Sequence, residues 1–195
     1  WIVAKLNQLT AEVTIALEKY ELDKATRPIG EFVDDLSTWY LRRSRERIKE
    51  GDKEAKQTLY YVLKTLAKLL APFAPFTAED IWLKLRNEND EESVHLENWP
   101  TKPFKIFSFG ESKIIENMQE VRKIVSLGLE ARQKAGIKVR QPLSKLEIKN
   151  FSLDTEYIEL IKDEINIKEV IENKNIETEV ELDTNITPEL KQEGD

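Results

Sequence analysis

The sequence predicts a mainly α protein, a helical bundle over residues 1–142 followed by a small, incomplete α+β C-terminal subdomain over residues 143–195. Three observations carry this. Apolar residues recur at spacings of three and four through most of the first 134 positions, the period of helices that bury one face. The helical runs are separated by short breaks, which makes neighbours of successive helices, as in a bundle. Beyond Pro142 the period shortens to two, as in a half-buried strand.

Ile2, Leu6, Leu9, Val13 and Leu17 mark a first amphipathic helix ending near Tyr20. Asp23 is a candidate cap for a second, with Pro28 tolerated if it lies in the first turn. From there Ile29, Phe32, Val33, Leu36, Trp39 and Tyr40 continue one stripe until Gly51, giving a long central helix. A third helix, capped near Asp52, carries Leu59, Val62, Leu63, Leu66, Leu69 and Leu70 before Pro72 and Pro75 break it. Thr77 and Asp80 resemble a capping arrangement for a fourth, running to about Leu85.

Residues 87–110 read as a long ordered connection around Trp99-Pro100. A further helix over 111–134 sets Ile114, Met118, Val121, Val125, Leu127 and Leu129 on its apolar side, and Gly136 ends it. Leu143, Leu146 and Ile148 then alternate, while 167–171 and 180–182 are rich in β-branched residues. A helix over 154–165 separates the first two strands. The chain opens at Trp1 rather than methionine and stops at Gly194-Asp195, just after a helix-like start. It is therefore expected to be a piece of something longer.

With 195 residues and 40% apolar composition, the chain can build a core without staples. It has no cysteine, which excludes disulfides, thiolate metal sites and cysteine nucleophiles and fits a reducing cytoplasm. No apolar run approaches the roughly 20 residues that span a bilayer, so no membrane partner is expected. The net charge of −7 is uneven: residues 150–195 hold 14 acids and 4 bases, leaving 23 acids and 26 bases elsewhere. Local contact with nucleic acid is therefore plausible in the first part and disfavoured in the tail.

The segment most informative about function is Leu36-Ser37-Thr38-Trp39-Tyr40-Leu41-Arg42-Arg43-Ser44-Arg45-Glu46-Arg47, two large aromatics against four arginines. On a wheel of 100° per residue, Phe32, Trp39, Leu36, Ile29, Tyr40 and Val33 share a face with Arg43 and Arg47, whereas Arg42 and Arg45 point away. Arg43 and Arg47 are thus expected to bury their stems at the end of the bundle and find carboxylates. Arg42 and Arg45 are expected to be free for a partner such as RNA. Trp39 and Tyr40 could stack on unpaired bases, but their place on the stripe favours packing in the fold.

A second basic cluster, Lys134, Lys138 and Arg140, sits where a helix ends, and there it also complements the helix dipole. The lone histidine, His95, has no base or metal partner at a suggestive spacing and reads as structural. No glycine-rich phosphate loop, nucleophile triad or His/Cys cluster is present, so the chain reads as non-catalytic and metal-free.

Four separated blocks resemble the anticodon-binding region of class I aminoacyl-tRNA synthetases of the isoleucine, valine and leucine group. Phe32-Val33-Asp34-Asp35-Leu36-Ser37-Thr38-Trp39-Tyr40 with its arginines is one. Leu69-Leu70-Ala71-Pro72-Phe73-Ala74-Pro75-Phe76-Thr77-Ala78-Glu79, with Ser93-Val94-His95-Leu96 and Trp99-Pro100, is the second. The later blocks are similar to the isoleucine branch: Ala135-Gly136-Ile137-Lys138-Val139-Arg140-Gln141-Pro142-Leu143 with the stretch 160–170, and Glu181-Leu182-Asp183-Thr184 continuing to Glu193-Gly194.

The resemblance implies a helical module that grips the anticodon stem and loop of isoleucine tRNA. A catalytic domain of the same parent chain, using ATP and magnesium, would attach the amino acid. The nucleotide-binding HIGH and KMSKS motifs of the group are absent here, so no cofactor is expected in this chain itself. Trp39 and Arg43 carry over as structural motif positions, with Tyr40 and Arg47 beside them. Arg42, Arg45, Lys138 and Arg140 match basic positions of the motifs, and their assignment to RNA rests on charge and face. The alternatives are the same module from a valyl- or leucyl-tRNA synthetase, and a helical protein-interaction scaffold.

Overall fold

A computed structural model of the protein describes residues 1–101, 109–150 and 152–194. The chain divides into two compact units, Trp1–Ser112 and Lys113–Asp195, so the division falls near the start of the sixth helix. The sequence places its own boundary at 142/143, where the period changes. The described residues are mainly helical, with one small sheet in the second unit.

In the first unit, α1 (Ile2–Glu18) buries Ile2, Leu6, Leu9 and Val13 at the expected spacing. Each such side chain taken from water contributes roughly 1.5–3 kcal/mol. The helix ends through Tyr20, whose φ of 59° is left-handed, with the Glu21 amide donating back to the Ala16 carbonyl at 2.9 Å. The second helix, α2 (Leu22–Asp34), starts one residue before Asp23, so Asp23 lies in its first turn and Glu21 is the cap position. Pro28 sits inside α2, not in its first turn. Having no N–H, it leaves the Lys24 carbonyl without its helical donor.

The chain stays helical from Leu22 to Lys49, but not uniformly so. Residues Asp35–Leu41 form a π-helical segment, which leads into α3 (Arg42–Lys49). After Gly51, at φ 94°, Asp52 caps α4 (Lys53–Leu70) by accepting from the Ala55 amide at 3.0 Å. The fifth helix, α5 (Pro75–Leu85), starts two residues before Thr77, with Ala74 as cap and Pro75 providing a pre-set φ in its first turn.

The core of the first unit joins α1, α2, the π-helical segment and α4 through Leu6, Val13, Phe32, Leu36, Val62 and Leu69. Trp82 of α5 is fully buried, and its Nε1 donates to the Glu91 carbonyl at 3.0 Å. The long connection begins as expected: Glu79 accepts from Ser93 Oγ and the Val94 amide, holding a 3-10 turn at Val94–Leu96. Trp99 then donates to Thr14 Oγ1 of α1 at 2.9 Å. Residues 102–108 of that connection lie outside the described residues.

In the second unit, α6 (Phe109–Lys134) buries Ile115, Met118, Val121, Ile124 and Val125. Strand β1 (Leu143–Ile148) is central in a three-stranded sheet. It pairs in parallel with β2 (Ile167–Glu172), Leu143 opposite Ile167, and antiparallel with β3 (Val180–Leu182), Leu146 opposite Leu182. The parallel pair is joined through α7 (Thr155–Ile165), as parallel strands require a crossover. A short helix, α8 (Pro188–Gly194), follows.

Candidate nucleic-acid interface

The π-helical segment decides where the arginines of the first unit sit. Its i→i+5 bonding widens the turn, so a step of four residues falls short of a full turn there whereas it overshoots in an α-helix, and the two drifts offset each other along the run. The buried face runs through Ala25, Ile29, Phe32 and Leu36 to the half-buried Tyr40, and then to Ser44, which is 7% exposed. A uniform wheel, by contrast, puts Arg43 and Arg47 on that face. Val33, expected on the stripe, is 42% exposed for the complementary reason that the face turns away from it.

The four arginines differ accordingly. Arg43 is half-buried and has interaction partners. Arg47, expected to bury its stem, is exposed, and it does reach a carboxylate: Nη2 lies 2.6 Å from Asp52 Oδ2. Arg42, expected to be free, is exposed but engaged. Its Nε donates to the Thr38 carbonyl at 2.8 Å, and its guanidinium carbon lies 5.9 Å from the centre of the half-buried Trp39 ring. Arg45 is exposed and makes no hydrogen bond or ion pair among the described residues.

Tyr40 packs against the core of the first unit, whereas Trp39 lies outside that cluster. Asp35, 5% exposed and 3.2 Å from Lys5 Nζ, is a buried carboxylate that the wheel did not single out. Its partner comes from α1, thirty positions away, which no local period reveals.

In the second unit, Lys138 and Arg140 sit together on the loop that joins α6 to β1, and both are exposed. Lys134 is committed to Glu130 one turn earlier, at 2.7 Å. Gly136, at φ 69°, reverses the chain, and the loop is then held from within by Arg132. That guanidinium is 1% exposed, with Nη1 donating to the Lys138 and Gln141 carbonyls at 3.1 and 2.9 Å and Nη2 to the Asn166 carbonyl at 2.8 Å. Burial lowers its pKa from the ordinary arginine value, and three carbonyl dipoles offset part of the lost hydration, Nε being buried with no partner among the described residues.

Asn166, left-handed at φ 55°, ends α7 and donates Nδ2 to the Val139 and Arg140 carbonyls at 2.9 and 3.0 Å. Neither Arg132 nor Asn166 was singled out from the sequence. A signal existed for the arginine: Met118, Val121, Val125, Gly128 and Arg132 follow one another at spacings of three and four, so a charge occupies a core position.

His95 is exposed on the 3-10 turn. Among the described residues no group of three or more His, Cys, Asp or Glu side chains could hold a metal ion. No helix among them is long and apolar enough to cross a membrane. What the two groups of side chains offer chemically is exposed cations on rigid supports, suited to acceptor-rich anions.

Residues 1–149 match the family model described as the anticodon-binding domain of tRNA ligase. The chain is also similar to proteins named isoleucine–tRNA ligase. One from Clostridium tetani is 39% identical over 97% of this chain and 19% of its own length. That from Clostridium acetobutylicum is 42% identical over 87% of this chain and 17% of its own length. A third, from Treponema denticola, is 40% identical over 88% of this chain and 16% of its own length. The chain thus spans 16–19% of the length of these curated relatives.

Proposed function

The chain belongs to the anticodon-binding domain family of tRNA ligases, and from that membership we propose that it is the tRNA-gripping module of an isoleucine–tRNA ligase. The observation that carries this reading is the run of similarity to isoleucine–tRNA ligases over 97% of the chain, well past the residue 149 at which the family model stops. In this reading the module holds the anticodon stem and loop. A catalytic domain elsewhere in the same parent chain attaches isoleucine in the cytoplasm, with ATP and magnesium as that domain's requirements.

Arg45 is the RNA contact best supported in the first unit, because its charge is exposed and uncommitted among the described residues. Arg42 contributes with its charge already braced against Thr38 and Trp39. Lys138 and Arg140 are the contacts of the second unit. Trp39, Tyr40, Arg43 and Arg47 serve the frame that presents them.

The test is a competition gel shift with labelled isoleucine tRNA. Unlabelled isoleucine tRNA should displace the label at lower concentration than the same tRNA carrying a valine anticodon. Equal displacement by both would reject an anticodon role. Capture of protein partners without any RNA binding would favour the interaction-scaffold reading instead.

A further inference from the structure

The loop that carries Lys138 and Arg140 has an unusual distribution of donors and acceptors. The carbonyls of Lys138, Val139, Arg140 and Gln141, four in succession, all accept from the buried Arg132 or from Asn166. The amides of Lys138, Val139 and Arg140, by contrast, have no acceptor among the described residues. The side chains of Lys138 and Arg140 are exposed and make no ion pair there either. Behind the loop lies a guanidinium that is 1% exposed and hydrogen-bonded to carbonyls alone among the described residues.

A phosphate oxygen accepts hydrogen bonds and donates none, so carbonyls repel it while N–H groups and cations hold it. The loop withdraws its carbonyls and keeps its donors. We propose that residues 138–140 form a preorganised site for a phosphodiester group of RNA, with Arg132 and Asn166 as its positioning residues. This rests on the tRNA-binding reading and deepens it. The buried Arg132 adds a positive charge in a region of low dielectric, where its field is weakly screened. Asn166 reaches the loop only because its left-handed backbone turns its side chain back from the end of α7.

The experiment uses the 195-residue chain, labelled with nitrogen-15, and an anticodon stem-loop RNA of isoleucine tRNA. The amide resonances of Lys138, Val139 and Arg140 should shift with the RNA and remain unsaturated by the same concentration of inorganic phosphate. Asn166→Gly keeps the left-handed turn but removes both carbonyl clamps. It should bind RNA roughly fivefold more weakly, the cost of ordering the loop on binding. Arg132→Lys, which keeps the charge but loses the fork, should weaken binding further. Replacing Lys138 and Arg140 together by glutamine should lower the salt slope of binding by about 1.4 to 1.8.

If the double glutamine variant loses slope while Asn166→Gly binds like the wild type and the three amides stay still, the preformed site is wrong and the RNA reading stands. Amides that phosphate saturates as readily as RNA would overturn RNA as the occupant. A chain that binds no RNA at all overturns both.

Discussion

Arg47 and Asp52 close the turn between α3 and α4. Nη2 and Nε of the arginine lie 2.6 and 2.8 Å from Oδ2, while Oδ1 caps α4 through the Ala55 amide. One carboxylate therefore ends one helix and begins the next. The pair ties the end of α3 to the start of α4 although Arg47 itself remains in solvent.

The Ala55 amide, and then Arg47, hold the Asp52 carboxyl below the usual carboxylate range. A carboxyl depressed in the fold adds stability above its unfolded value, about 3.9, and that contribution is lost as pH falls through the folded value. Asp52→Ala should thus melt several degrees lower at neutral pH, and the gap from wild type should close in acid. Melting curves of both proteins across that range check this, and a gap independent of pH would deny the cap its charge.

Gly128 of α6 faces Ile165 of α7 so closely that an added methyl group would collide with the Ile165 side chain. Alanine gains roughly 1 kcal/mol of helix propensity over glycine, yet overpacking a core costs about 1–3 kcal/mol. Gly128→Ala should therefore be destabilising in the wild type and become stabilising beside Ile165→Val, which removes the colliding methyl. Denaturant melts of the two single variants and the double variant measure this; additive effects would show that the two residues are not coupled.

Tyr20 is left-handed and 90% exposed, so it carries backbone strain with almost no burial to offset it. Left-handed backbone costs a non-glycine residue about 1–2 kcal/mol. Tyr20→Gly should raise stability by roughly 1 kcal/mol with no change in the helical circular dichroism. A destabilised variant would mean that the ring makes contacts its exposure does not suggest.

Much of the frame was legible in the sequence because it is periodic. Ile2, Leu6, Leu9 and Val13 fall on one face at 3.6 residues per turn, and Asp52 caps the helix it was expected to cap. The faces of Arg43 and Arg47 were not legible, since the π-helical Asp35–Leu41 resets the phase and no residue preference announces it. The same reset leaves Ser44, a polar residue, on the buried face. The order β2-β1-β3 was hidden for a different reason: strand partners are chosen by long-range packing. Arg132 was hidden by its chemistry, because a charge near a helix end reads first as a dipole partner.

A chain that grips tRNA through exposed cations on a helical frame must show it in its affinity for isoleucine tRNA across a range of salt concentrations, measured in the wild type and in Arg45→Ala. Affinity should fall steeply with salt. In the variant the slope should be smaller by about 0.7–0.9, the share of one phosphate contact, with an unchanged melting temperature. Binding without salt dependence, or no binding, would contradict the claim, and an unaltered slope in Arg45→Ala would remove that residue from the interface.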